Sequence, residues 1–481
     1  MSHSVKTNYF FNLLNTGTQL LFPLITFPYA SRIMQADGIG QVNFFSSIVS
    51  YISLFTCLGI PMYALREIAR VRDNVVEMNK TAVEVLILHA LLTLGGYIVV
   101  AIICITVTKV QSNIPLFLIL SSTIFFTAIG CEWFYQGMED FEYITIRGLI
   151  VKLISIVLLF LLVRTKDDLL WYGAYTVFGV LGGNIFNFFR LRKYIHKQNV
   201  RIRELRPFRH LKPALHVFVF NVITSIYLQL NTIFLGFMKN PTAVGYFTAG
   251  TKIVYVALGV SSAFGSVMLP HLSNLLAEKK IEKFKTMAQK AFSFIFAITL
   301  PMAVGLIFCS PYAIRLLCGS RFDPSILVSQ ITSPIIFFIG LSNVLGMQIL
   351  YPMGRINTVI KCTLIGAIVN VILNIGLIPF ISQYGTAVAT FGAEFAVTFS
   401  MFILGKKYIP IKYINKDYLN YILGVMVMGI VLYFINKIHA SNIMMLIYMV
   451  LSGCAVYFAF LSWRKDPFSL QVIKVIRNRF H

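Results

Sequence analysis

TAVEVLILHALLTLGGYIVVAIICITVT, residues 81–108, is almost wholly apolar. An α-helix rises 1.5 Å per residue, so about 20 residues of this kind cover the roughly 30 Å hydrocarbon layer of a bilayer. The stretch reads as a membrane-crossing helix. The same test applied outward along the chain finds further stretches near 8–34, 38–65, 115–137, 143–163, 169–194, 215–238, 242–270, 286–310, 326–352, 358–380, 385–405, 417–436 and 442–463. Together they make fourteen spans, and an even number places both termini on one side. The expected fold is an all-α polytopic membrane protein.

Composition agrees over the whole chain. Of 481 residues 57% are hydrophobic and 12% charged, with a mean hydropathy of +0.78, outside the range of soluble domains. The first apolar stretch runs to about Met34, well past a signal-peptide core, and is expected to stay as a span. A net charge of +23 would suggest nucleic acid in a soluble protein, but here the basic residues sit in short loops between apolar runs, so no nucleic-acid partner is expected. Seven cysteines, mostly inside spans, show neither a pairing pattern nor metal-ligand spacing.

Lysine and arginine bias sets the orientation. With the N-terminus inside, 31 of the 41 basic residues fall in inner loops and tails, so both termini are expected to be cytoplasmic. The longest polar connection, Arg190 to Lys212, divides the spans six before and eight after. The expected organisation is an N-lobe at 1–194, a basic cytoplasmic loop at 195–214, a C-lobe at 215–405, and two further helices with a basic tail at 406–481. A short repeat supports it: Asp37-Gly-Ile-Gly-Gln-Val opening span 2 resembles Thr242-Ala-Val-Gly-Tyr-Phe opening span 8, 205 residues later. Two parallel six-helix lobes are a transporter arrangement. The basic loop serves as an orientation signal, with recruitment of anionic lipid headgroups as the alternative.

Polar side chains at bilayer depth are costly unless they face a bundle interior or water. In span 1, Asn8, Asn12, Asn15, Gln19 and Thr26 fall within about 60° of arc at 100° per residue. Pro23 and Pro28 are expected to kink its outer half. Span 7 carries Asn221, Thr224, Ser225 and Thr232 on one face. Spans 2 and 8 carry Asn43, Ser46, Ser47, Ser50 and Ser53, and Thr248, Lys252, Tyr255 and Ser262. Helix-to-helix glue explains any one stripe; four in related positions point to a shared aqueous cavity.

Ionisable residues sharpen this picture. Lys252 lies in the middle of its stripe, too deep to snorkel, whereas Arg32 sits near the outer end of span 1, where snorkelling is an adequate account. Glu394, with Thr386, Thr390 and Thr398 spaced along span 12, is a candidate for carrying a proton or binding a cation such as sodium; a structural ion pair is the alternative. Glu132 and Lys152 are read near inner helix ends, as gate or interlobe residues or as anchors. His89 is expected to make a satisfied polar contact. No catalytic or metal site and no cofactor motif is legible.

Four segments resemble the Wzx-type polysaccharide and O-antigen repeat-unit flippases of the multidrug, oligosaccharidyl-lipid and polysaccharide exporter superfamily. They are Pro28-Tyr-Ala-Ser-Arg-Ile-Met, Ile68-Ala-Arg-Val-Arg, Glu132-Trp-Phe-Tyr-Gln-Gly-Met-Glu-Asp-Phe leading into Ile146-Arg-Gly-Leu-Ile-Val-Lys, and Gly245-Tyr-Phe-Thr-Ala-Gly-Thr-Lys-Ile-Val. The resemblance implies two six-helix lobes forming a V around a central cationic cavity. Twelve spans are usual in such proteins, which makes twelve the alternative to fourteen here. It implies a bacterial inner-membrane flippase, not an enzyme, for undecaprenyl-pyrophosphate-linked oligosaccharide, working beside a polymerase and a chain-length regulator. The residues above that match the expected cavity are Lys252, Arg32, Asn12, Asn15, Gln19, Asn43, Ser47, Asn221, Ser225 and Tyr255. The competing readings are a cation-coupled multidrug exporter of the same fold and, from another class, a polysaccharide polymerase or ligase, for which every outer loop is short.

Overall fold

The computed structural model describes residues 5–196, 201–412, 415–438 and 440–470, without the side chains of 5–16, 19–21, 202 and 219–228. Among these residues every regular element is a helix. The long helix Val5–Cys57 breaks at Gln35, whose φ of 55° is left-handed, giving α1 (5–34) and α2 (36–57). Helical geometry continues through Pro23 and Pro28, so the turn comes at Gln35 and not at either proline. Two consecutive left-handed residues, Leu58 and Gly59, then end α2 and start the amphipathic helix Ile60–Val71. Gly59 is required there because the Ala214 carbonyl and Phe218 amide lie where its Cβ would be.

Next come α3 (Val75–Thr106), α4 (Ile114–Gly130), a one-turn helix Glu132–Gly137, and α5 (Phe141–Leu162). The side chains of Asn74, Asn113 and Asp140 accept from the amides of Glu77, Leu116 and Tyr143, filling donors that a helix start leaves orphaned. Helix α6 is bent by 44° between Leu169–Leu181 and Asn184–Leu191. After the loop come α7 (Leu211–Met238), α8 (Pro241–Ala277) and α9 (Ile281–Cys318). Then α10 runs over Pro324–Leu350 and closes in a π-helical turn. The helix Ile356–Gly405 is broken at Ile381 and Ser382 into α11 (356–380) and α12 (383–405). Last are α13 (Lys416–Ile435) and α14 (Asn442–Trp463). Among the described residues ten helices are long and apolar enough to cross a membrane, or eleven with the bent α6. Separating the two broken helices and adding α7 accounts for all fourteen expected crossings.

By compactness the chain divides into Met1–Gly245 and Tyr246–His481. Helix α7 therefore groups with α1 to α6, because it packs on α2 and on the helix Ile60–Val71. In the second unit α13 and α14 are built into the core rather than appended to it. Phe296 of α9 stacks on Tyr418 at 5.0 Å, and the Tyr457 hydroxyl donates to the Ala297 carbonyl at 2.8 Å.

The basic loop also has an anchor. Glu84 of α3 is fully buried and accepts from the Arg206 amide at 2.8 Å, Arg209 Nε at 2.6 Å and His210 Nε2 at 2.9 Å. With its Nε2 proton given to Glu84, His210 accepts at Nδ1 from the Tyr63 hydroxyl, 2.6 Å away. A buried carboxylate with this donor set ties the loop to α3, and that role is separate from its part in orientation.

Candidate functional site

Helices α1, α5 and α6 meet where Gly179 faces Phe22 of α1 and Ser155 of α5. One turn away, Lys152 Nζ donates to Thr18 Oγ1 at 3.1 Å. Helix α5 is 22 residues long and Lys152 is its twelfth, about 16 Å along at 1.5 Å per residue. The expectation of a position near the inner helix end is corrected: this lysine is at mid-depth. Glu132 acts electrostatically on both Lys152 and Arg147. The rest of the motif around Glu132 is a staple. Tyr135 donates to the Asn187 carbonyl and Asn187 to the Gly130 carbonyl, both at 2.6 Å, while Asp140 pairs with Arg190 at 2.8 Å. Left-handed Cys131 and Glu139 bracket that turn.

The second unit holds a different polar nest. On α12, Thr386, Thr390, Glu394 and Thr398 are all buried, and Glu394 is 4% exposed. Asn370 and Asn374, one turn apart on α11, are fully buried beside them. Asn370 donates to the Ala389 carbonyl at 3.3 Å and Asn374 to Asn370 at 2.9 Å. These asparagines escaped the sequence reading, although an amide pair at i, i+4 inside an apolar span was a legible signal. Glu394 acts electrostatically on Tyr255 of α8, which is 42% exposed, and Lys252 lies one turn before it, partly buried. Lys252 is again the twelfth residue of its helix. Below this nest, α8, α9, α13 and α14 enclose an apolar groove of about 510 Å³, lined among others by Ile253, Pro301, Met428 and Gly453.

A third feature closes the end of the first unit where α2 and α8 begin. A Cβ on Gly40 would overlap the Pro241 carbonyl, and one on Gly245 would overlap the Ala36 carbonyl, so the two backbones touch directly. Thr242 donates to Asp37 at 3.1 Å. Lys109, from the loop after α3, donates to the carbonyls of Gly236, Phe237 and Lys239 at 2.8, 2.7 and 2.7 Å, capping α7.

The other expected residues distribute as follows. Arg32 has an exposed side chain near the end of α1. Asn43 donates to the Ile39 carbonyl at 2.7 Å, and buried Ser47 donates to Gln229 of α7 at 3.3 Å. The side chains of Asn8, Asn12, Asn15, Gln19, Asn221, Thr224 and Ser225 lie outside the described residues. His89 is corrected: it is buried, and neither ring nitrogen has a hydrogen-bond partner among the described residues. Among the described residues no cluster of metal-ligating side chains occurs.

Comparison with solved structures places this architecture. The lipid II flippase MurJ in an inward closed conformation matches with a TM-score of 0.79 at 18% identity, over 97% of this chain and 100% of that one. An inward-facing multidrug resistance MATE family transporter matches at 0.63 and 16% identity, over 81% of this chain and 94% of that one. Both likenesses concern the fold. In sequence, a putative O-antigen transporter from Shigella dysenteriae is 26% identical over 82% of this chain and 99% of its own length. A putative O-antigen transporter from Escherichia coli strain K12 is 24% identical over 82% and 95%. The model of the polysaccharide biosynthesis protein family matches residues 5–276, more than half of the chain and every segment that carried the sequence resemblance. By this match, over more than half of its length, the chain belongs to the polysaccharide biosynthesis protein family.

Proposed function

We propose that the chain is a flippase for a lipid-linked oligosaccharide, undecaprenyl-pyrophosphate carrying O-antigen or related repeat units, which it moves from the cytoplasmic to the periplasmic leaflet of the bacterial inner membrane. The observation that carries this reading is Lys252, at mid-depth on α8 beside exposed Tyr255 and above an apolar groove. A charged headgroup and hydrophilic sugars cannot cross hydrocarbon unaided, because each unsatisfied polar group costs several kcal/mol. An ammonium at that depth attracts pyrophosphate, hydroxyl and amide groups receive sugar, and the groove takes polyprenyl. The names of the O-antigen transporters support the same substrate class. Arg32 and the polar stripes of α1, α2 and α7 are further candidate substrate contacts, and the proposed cycle is alternating access. The basic loops put both termini in the cytoplasm, and a polymerase and chain-length regulator act on the delivered product.

Glu394 favours coupling to a proton or sodium ion, since a buried carboxylate among threonines and asparagines can bind either. The same nest keeps the multidrug exporter as the second reading; the mid-depth lysines disfavour its cationic substrates. Lys252→Ala is expected to abolish surface polysaccharide while the protein still inserts, with lipid-linked repeat units accumulating on the inner leaflet. Normal polysaccharide in that variant would remove the lysine from the mechanism. A deletion strain with normal polysaccharide and new drug sensitivity would replace the flippase reading.

A further inference from the structure

Helices α8 and α9 run on past their apolar stretches and meet in a tight hairpin on the side proposed to be cytoplasmic. Left-handed Lys279 makes the turn, and the Lys280 amide donates to the Leu275 carbonyl at 2.9 Å. Leu272 of one arm and Phe284 and Ala288 of the other are buried in the core of the second unit, so both arms are fixed. Between the arms lies a cleft of about 480 Å³, lined among others by His271, Leu275, Lys280, Lys283, Met287 and Lys290. At 100° per residue Lys283, Met287 and Lys290 fall within about 60° of arc, so one face of α9 turns its cations into the cleft. The acids of the turn are engaged. Glu278 pairs with Lys280 and accepts from Asn274 at 3.0 Å, and Glu282, which also lines the cleft, pairs with Lys285 at 2.7 Å. Lys285 stands about 200° from Lys283, on the far face of α9. Among the described residues Lys283 and Lys290 have neither an ion pair nor a hydrogen bond, and Lys283 acts on Glu278 only through space. An orientation signal needs basic residues on this side of the membrane, but not their convergence on one cleft.

We infer that the cleft between α8 and α9 binds a soluble phosphorylated ligand carrying two or more negative charges, of the diphosphate class. Lysine ammonium groups bind phosphate as compact point charges, and two of them here have no other anion to serve. The volume lies in the range of small-molecule sites and is larger than one phosphate needs, and Leu275 and Met287 offer an apolar wall to the organic part of a diphosphate ester. Depth decides for a soluble ligand over a lipid headgroup. Lys290 is the last charged residue before the apolar run 291–309. Lys283 lies about 10.5 Å further out along α9, whereas the headgroup layer of one leaflet is only about 5 to 7.5 Å thick. His271 is nineteen residues, about 28 Å, along α8 from Lys252. The cleft is therefore separate from the proposed substrate contacts, and its ligand does not depend on what crosses the membrane.

The test follows the acetylation rate of each lysine by peptide mass spectrometry, in the full chain held in phosphatidylcholine nanodiscs. Inorganic pyrophosphate is the probe, and sulfate at equal ionic strength is the screening control. Pyrophosphate is expected to slow acetylation of Lys283 and Lys290 about fivefold or more, with Lys279 at the turn unaffected. Lys290→Gln should raise the pyrophosphate concentration that half-protects Lys283 about tenfold, as loss of one charge-assisted bond requires, while Lys279→Gln changes it less than about twofold. Equal slowing of all three lysines, or the same slowing by sulfate, reduces the effect to screening and overturns the inference. Protection of Lys283 that is unchanged in Lys290→Gln shows that the two do not share a ligand and overturns it too. Protection of both lysines by phosphatidylglycerol nanodiscs, with none from pyrophosphate, gives the cleft to a lipid headgroup and overturns the soluble ligand. Each of these failures leaves the flippase reading standing, because that reading rests on Lys252 and fails only with its own transport test.

Discussion

The polar nest of the first unit and that of the second are made by helices with the same place in each set of six, yet α5 contributes a lysine, Lys152, and α12 a glutamate, Glu394, beside Lys252 of α8. Helices α5 and α6 with α1 enclose Lys152, Thr18 and Ser155, whereas α11 and α12 enclose Glu394, Asn370, Asn374 and three threonines. The scaffold logic is shared: small hydroxyl and amide residues satisfy helix carbonyls one turn back, as Thr390 does with Thr386 at 2.8 Å, and leave one ionisable group in a low-dielectric setting. What differs is the sign of that group, and the sign selects the ligand. A lysine nest recruits an anion; a glutamate nest recruits a proton or metal cation.

Reversing the sign in the first nest should give the largest effect. Lys152→Glu places a second carboxylate near Glu132 and is expected to cut transport by about 100-fold or more, since like charges at depth are mutually destabilising. Delivery of lipid-linked repeat units to the outer leaflet is the measurement, and a variant retaining half of wild-type delivery would break the comparison. A smaller effect follows from neutralising the second nest. Glu394→Gln should lower transport about tenfold and remove its dependence on an imposed ion gradient, while undecaprenyl pyrophosphate binding persists. Gradient dependence surviving in that variant would strip Glu394 of the coupling role.

The smallest effect lies outside both nests and serves as their control. Burial holds the His210 imidazole below the ordinary histidine value, against the opposing pull of Glu84. The folded chain thus binds fewer protons than the unfolded one, so the stability from docking the loop is complete above that ordinary value and is lost as pH falls below it. Measured against an unstructured reference peptide at each pH, trypsin should cut at Arg201 and Arg203 a few-fold faster at about pH 5.5 than at about pH 7.5, and Tyr63→Phe should shift that onset. Cleavage independent of pH would separate loop docking from His210.

Much of this was legible in the sequence, for an identifiable reason. Hydrocarbon tolerates only long apolar helices, so the span pattern follows almost directly from composition, and all fourteen crossings fall near their expected places. The 205-residue repeat between spans 2 and 8 was readable because it sits at a main-chain crossing that needs glycine in both copies. Other features were hidden because their meaning depends on partners distant in sequence. The role of Glu84 depends on Arg206, Arg209 and His210, which come back to it from more than 120 residues away. Glu132 was read as a gate or interlobe residue or as an anchor, and its neighbours Tyr135 and Asp140 tie α6 to the turn after α4. Lys152 was read near the inner helix end although its expected span, 143–163, already put it near the middle, and α5 over Phe141–Leu162 keeps it there.

The seal of Gly40 and Gly245 carries a different implication. Ala36, Asp37 and Gly40 meet Pro241, Thr242 and Gly245, each residue facing the counterpart neighbourhood 205 positions on, and each glycine lies under the other strand's carbonyl. Such reciprocity is the signature of an isologous contact, the kind two identical subunits make across a twofold axis. A side chain at either glycine would meet main chain that has no room to give, so enlarging one residue would part both helix ends at once.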